Sequence, residues 1–83
     1  MFFLSVKIFI QPGCPKCPKA KILGKKLEEK GFKVEYIDVK ENPESAAKYL
    51  LLATPSIIVE ENGNVKKTWA GTTPALEEIE KIL

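Results

Sequence analysis

Gln11-Pro12-Gly13-Cys14-Pro15-Lys16-Cys17-Pro18 joins an almost continuously apolar run, Phe3 to Ile10, to a lysine-rich segment with helical spacing, and it carries the chain's two cysteines. A pair of cysteines two residues apart at a strand-to-helix junction reads as a redox motif. The first backbone N–H groups of a helix have no partner within it, and the helix dipole is positive at that end. Both favour thiolate over thiol there. Cys14 precedes the helix and is the expected nucleophile. Cys17, one turn on, is expected to face partly inward and to close a disulfide that releases whatever Cys14 attacked. Pro15 suits the first helical position, where a missing N–H costs nothing, and Lys16 is expected to point to solvent and add positive charge. Pro18, as fourth helical residue, cannot donate to the Cys14 carbonyl and disfavours helical angles at Cys17, so a loosened first turn is expected.

Working outward, Val6, Ile8 and Ile10 put β-branched residues in an apolar run that suits a central strand covered on both faces. From Pro15 to Lys30, Ala20, Ile22, Leu23 and Leu27 form an apolar stripe among lysines and glutamates, and Gly31 stops the helix. Lys33 to Val39 alternates as a second strand. Strand, crossover helix and strand in succession imply a right-handed parallel unit, which puts the cysteines at the carboxyl end of the first strand, where open α/β sheets bind ligands. Glu44 to Leu52 reads as a second helix, and Ser56 to Glu60 and Val65 to Ala70 as two further strands. The Asn62-Gly63 pair between these strands predicts a tight antiparallel hairpin. Pro74 to Leu83, with Leu76, Ile79 and Ile82, reads as a final helix. The expected architecture is α/β, a four-stranded mixed sheet flanked by three helices in the order β-α-β-α-β-β-α.

Eighty-three residues fit one domain, taken as 1–83. No apolar stretch is long enough to span a bilayer, and the first ten residues lack the basic start of a signal peptide. The net charge of +2 is uneven: residues 1–40 hold nine lysines against four acids, residues 41–83 four against seven. A basic patch beside the cysteines would lower their pKa further and steer acidic partners, although such a run is more often a solvated helix face. With no arginine and no interleaving of aromatic and basic residues, nucleic acid is not an expected partner.

Three readings of the cysteine pair compete. Structural zinc needs four ligands, and a chain with no histidine and no second pair would have to share two pairs across a dimer, as would a bridging iron–sulfur cluster. A purely structural disulfide closing so short a loop would stabilise the fold by only about 2 kcal/mol. The redox reading stands first, with no resident metal and no cofactor. Thr54-Pro55 either marks a strand start or holds a cis peptide bond. In Trp69-Ala70-Gly71-Thr72-Thr73-Pro74, Gly71 suits close backbone approach, and Thr73 is placed to cap a helix opened by Pro74.

Together these residues resemble the thioredoxin superfamily in its short, glutaredoxin-like form, over essentially the whole chain. Residues 11–17 are similar to the glutaredoxin active-site segment. Thr54-Pro55 matches the Thr-Pro element of that family, which implies a cis Pro55 beside the cysteines, holding the preceding backbone for strand-like pairing with a substrate. Gln11 and Lys16 stand where glutaredoxins usually have a basic and an aromatic residue, and the acids that follow the glycine in glutaredoxins are missing after Gly71. Trp69 to Pro74 instead resembles the Trp-Ser-Gly-x-x-Pro element of the NrdH redoxins. The resemblance implies a cytoplasmic, monomeric dithiol–disulfide oxidoreductase acting on protein disulfides. Its catalytic residues would be Cys14 and Cys17, with Pro15, Lys16, Thr54, Pro55 and Gly71 meeting the substrate. Its electron donor would be a thioredoxin-reductase-like flavoenzyme or glutathione.

Overall fold

The computed structural model describes residues 4–49 and 53–82. Strand β1 (Leu4–Ile10) is followed by helix α1 (Cys17–Glu29), β2 (Lys33–Asp38), α2 (Pro43–Lys48), β3 (Ser56–Glu61), β4 (Asn64–Ala70) and α3 (Leu76–Glu80). The sheet runs β2-β1-β3-β4, so the most apolar early strand is interior. β1 pairs parallel with β2, placing Ile8 beside Tyr36 and Ile10 beside Asp38. It pairs antiparallel with β3, Phe9 opposite Ser56. β3 and β4 form the expected hairpin, with Asn62 and Gly63 both at positive φ, and a register irregularity follows at Val59/Glu60.

Period-two alternation divides the strands between two layers. Val6, Ile8, Ile57 and Val59 meet Ala20, Leu23 and Leu27 of α1 and Ile79 of α3 in the main apolar cluster. At Gly24 the backbone of α1 approaches the sheet so closely that an added Cβ would lie 2.7 Å from Ile8 Cδ1 and closer still to the Tyr36 hydroxyl. Gly31 N donates to Glu28 O and Phe32 N to Leu27 O, which satisfies the last carbonyls of α1 and turns the chain into β2.

Helix boundaries differ from the sequence reading at three places. α1 starts at Cys17, not Pro15: residues 15 and 16 form a turn, Lys16 is the N-cap, and Pro18 is the second helical residue. Pro18 therefore sits where no donor is needed, and the Cys14 carbonyl instead accepts from Cys17 N at 3.4 Å. Helix α2 begins at Pro43 and ends at Lys48, before Tyr49; the rest of the stretch expected to be helical, 50–52, lies outside the described residues. Helix α3 begins at Leu76, so Pro74 does not open it and Thr73 does not cap it. Ala75 is the N-cap, and its N–H donates to Glu78 Oε2 at 3.1 Å. The acid at the third helical position supplied this cap.

Candidate functional site

The chain leaves β1 at Ile10 and turns twice before α1 begins: Cys14 N donates to Gln11 O at 3.3 Å and Cys17 N to Cys14 O. These turns bring the two cysteine Cα atoms to 5.4 Å, and the sulfurs are joined as a disulfide. Cys14 is half-buried, whereas Cys17 is only 4 % exposed and stands at the first position of α1. Cys14 is therefore the more accessible residue of the pair. Helix α1 has no side-chain cap and no acid in its first turn, so its positive end faces the cysteines with no carboxylate from the helix itself to offset it.

Two clefts flank the motif. One, of about 250 Å³, includes Ile10, Gly13, Cys14, Cys17, Lys21 and Asp38 in its wall. The other, of about 420 Å³, is lined by Pro15, Lys16, Lys19, Thr72 and Thr73. Asp38 is tied to the loop after β2, its Oδ1 accepting from Lys40 N at 2.8 Å and Glu41 N at 3.4 Å. Thr73 Oγ1 is buried and has no partner among the described residues.

The Thr54–Pro55 bond is cis, and Pro55 is fully buried while Thr54 is half-buried. Because Phe9 faces Ser56 across antiparallel strands, residues 54–55 run alongside the point where β1 passes into the cysteine loop. Gly71 lies on the far side of this segment, beyond the Ser56–Ala70 pair, at φ +74, and its N–H donates to Ser56 Oγ at 3.4 Å. The same hydroxyl donates to Ala53 O at 2.6 Å. A Cβ at Gly71 would meet Ala53 Cβ at 3.2 Å, so both backbone angle and space call for glycine here.

Of the residues singled out from sequence, Pro15 and Lys16 thus share one cleft wall, Cys14 and Cys17 share the other, and Thr54, Pro55 and Gly71 lie together at the neighbouring strand ends. Sequence reasoning missed Ser56, whose hydroxyl joins the 53–55 segment to Gly71, because neither partner is local. It also missed Lys19 and Lys21 as parts of the site. Lys21 was accessible to it, since one turn of helix separates it from Cys17. Among the described residues no group of three or more histidines, cysteines or acids gathers as a metal site, and no helix is long and apolar enough to cross a membrane.

Comparison with known proteins points one way. Residues 4–83 match the model of a family described as "Thioredoxin domain". The chain is 37% identical over 78 residues to a thioredoxin of Methanocaldococcus jannaschii, covering 90% of this chain and 89% of that protein. It is 37% identical over 76 residues to the thioredoxin of Bacillus subtilis, covering 86% and 73%. A solved variant thioredoxin of Halobacterium salinarum superposes with a TM-score of 0.85 at 20% identity, covering 96% of this chain and 71% of that one. These names are those of thioredoxins: they place the chain in the thioredoxin superfamily and do not single out the glutaredoxin-like or NrdH-like form that its motifs resemble.

Proposed function

The chain belongs to the thioredoxin domain family and is a thiol–disulfide oxidoreductase, and from that premise we propose that it reduces protein disulfides with Cys14 as the attacking sulfur and Cys17 as the resolving one. The observation that carries the assignment is the contrast in exposure across the bonded pair: Cys14 half-buried, Cys17 enclosed.

In the reduced protein, Cys14 thiolate attacks one sulfur of a target disulfide. A bond forms between that sulfur and Cys14, the target S–S bond breaks, and the departing sulfur leaves as a thiolate that takes a proton from water. Cys17 then loses its proton and attacks Cys14 Sγ. The mixed disulfide breaks, the second target sulfur leaves and is protonated, and two electrons have passed from the dithiol to the target. The product is the Cys14–Cys17 disulfide seen here. A flavoenzyme of the thioredoxin-reductase kind, or glutathione, would restore the dithiol.

By the family resemblance, the cis Thr54–Pro55 segment, anchored through Ser56 and Gly71, would present its backbone for strand-like pairing with a target, while Pro15 and Lys16 form the adjoining wall. We place this chemistry in a reducing compartment such as the cytoplasm, where a dithiol carrier is kept charged. Cys14→Ser is expected to abolish reduction of insulin disulfides, and Cys17→Ser to accumulate mixed disulfides trapped at Cys14. Full turnover by Cys14→Ser would overturn the assignment.

A further inference from the structure

Three lysines stand in the walls of the two clefts beside Cys14: Lys16 and Lys19 on one side, Lys21 on the other. All three are exposed, and none is in an ion pair among the described residues. The ion pairs that do form, Lys7–Glu60, Lys30–Glu80, Lys33–Glu35 and Lys66–Glu61, involve no residue of these walls. The cleft holding Lys16 and Lys19 has no acid in its lining. The other has Asp38, whose Oδ1 is already engaged by two loop amides. A protein arriving with its disulfide over Cys14 would therefore meet two lysines with no acid in their wall on one side of the sulfur, and on the other Lys21, whose charge Asp38 offsets in part.

We propose that this rim is a docking surface for acidic polypeptides, and that the preferred target carries carboxylates flanking its reducible cysteine. The inference rests on the disulfide-reducing function proposed above and adds the class of partner. Complementary charge at a rim acts chiefly on the rate of encounter, by up to several orders of magnitude where many charges act together, and salt removes it. For three lysines the expected effect is roughly tenfold.

The test uses reduced protein and three disulfide-linked peptides of equal length, whose residues flanking the cysteine are acidic, neutral or basic, with bis(2-hydroxyethyl) disulfide as an uncharged control. Second-order rates at low salt should rank acidic above neutral above basic, with the extremes about tenfold apart. The spread should collapse toward unity at about 0.5 M salt. In the variant carrying Lys19→Glu and Lys21→Glu, the acidic-to-basic ratio should invert, a readout that cancels any change in intrinsic sulfur reactivity. Equal peptide rates, or an unchanged ratio in the variant, with normal reduction of the control would overturn the docking surface and leave the disulfide chemistry standing. Failure to reduce even the control would overturn the chemistry and the docking surface with it.

Discussion

The two faces of the sheet are built from alternate residues of the same strands and solve burial in opposite ways. On the α1/α3 face Val6, Ile8, Ile57 and Val59 belong to the main apolar cluster, and no ion pair stands among them. On the other face Phe9 and Ile58 are fully buried, but between and beyond them stand Lys7 and Glu60, joined as an ion pair with side chains 21% and 7% exposed. Tyr49 covers the pair: its hydroxyl donates to Glu60 Oε2 at 2.9 Å, its ring meets Phe9 edge-on at 5.6 Å between centroids, and Lys7 and Lys48 lie over it. Helix α2 contributes no buried side chain to this layer. The face that carries the cysteine helix is dry and close-packed, while the opposite face depends on a charged group keeping its partner. The cysteine helix and the ion pair thus lie on opposite sides of one sheet.

That contrast can be broken on either side, and the largest effect belongs to the dry face. Leu27→Ala removes a fully buried side chain beneath α1 and should cost about 3 kcal/mol, read by urea unfolding followed through Trp69 fluorescence. On the charged face Glu60→Gln leaves Lys7 partly buried beside a neutral acceptor and should cost about 2 kcal/mol. It should leave the rate of Cys14 with a small neutral disulfide unchanged, because the pair belongs to the other face of the sheet. A Glu60→Gln protein with altered sulfur kinetics would show that the two faces are coupled. Replacing both partners, Lys7→Met with Glu60→Leu, should recover most of the loss, to within about 1 kcal/mol of the parent, since the desolvation of two charges is then avoided. Gly24→Ala forces Ile8 or Tyr36 to move while gaining helix propensity, and a net loss of about 1 kcal/mol is expected.

The same pair sets a pH dependence. Burial by itself pushes the Glu60 carboxyl up, but hydrogen bonds from Lys7 and Tyr49 and the charges of Lys7 and Lys48 outweigh it and hold the group below its ordinary 4.5. Burial pushes Lys7 down, and the hydrogen bond and charge of Glu60, with smaller contributions from Tyr49 and Glu35, more than reverse this and raise it above 10.5. Tyr49 is raised above 10.0 by burial first and then by its bond to Glu60. A lowered carboxylate contributes stability that is present above its unfolded value and is lost as pH falls through its folded one. A raised lysine or tyrosine contributes stability below its unfolded value that is lost as pH rises through its folded one. Urea midpoints should be flat between about 5 and 10 and fall on both sides. The acid limb should be shallower in Glu60→Gln.

Much of this was readable in advance, and for reasons that can be named. The apolar run into β1, the helical stripe Ala20, Leu23 and Leu27, and Asn62-Gly63 each encode their element through period or turn chemistry acting over a few residues. The cysteine spacing announced its own chemistry. Helix starts were read less well. Pro15, Pro18 and Pro74 all satisfy the rules for a first turn, so local preference alone did not choose among them. In the fold Pro18 takes the first turn of α1, and Ala75 rather than Thr73 caps α3 because Glu78 reaches its N–H. Lys7, which from sequence merely interrupts an apolar strand, is accounted for only by a residue 53 positions away.

By itself, then, the order of residues determined what near neighbours in the chain can settle: the succession of strands and helices, the central place of β1, and two thiols within bonding reach of each other. Tertiary structure alone decided that Ser56 would join Ala53 to Gly71, that Glu60 would find Lys7, and that Lys16 and Lys19 would share a wall without an acid beside the cysteine motif. Those outcomes depend on distances between segments far apart in the chain, which exist only once the sheet has assembled and its two faces have been covered.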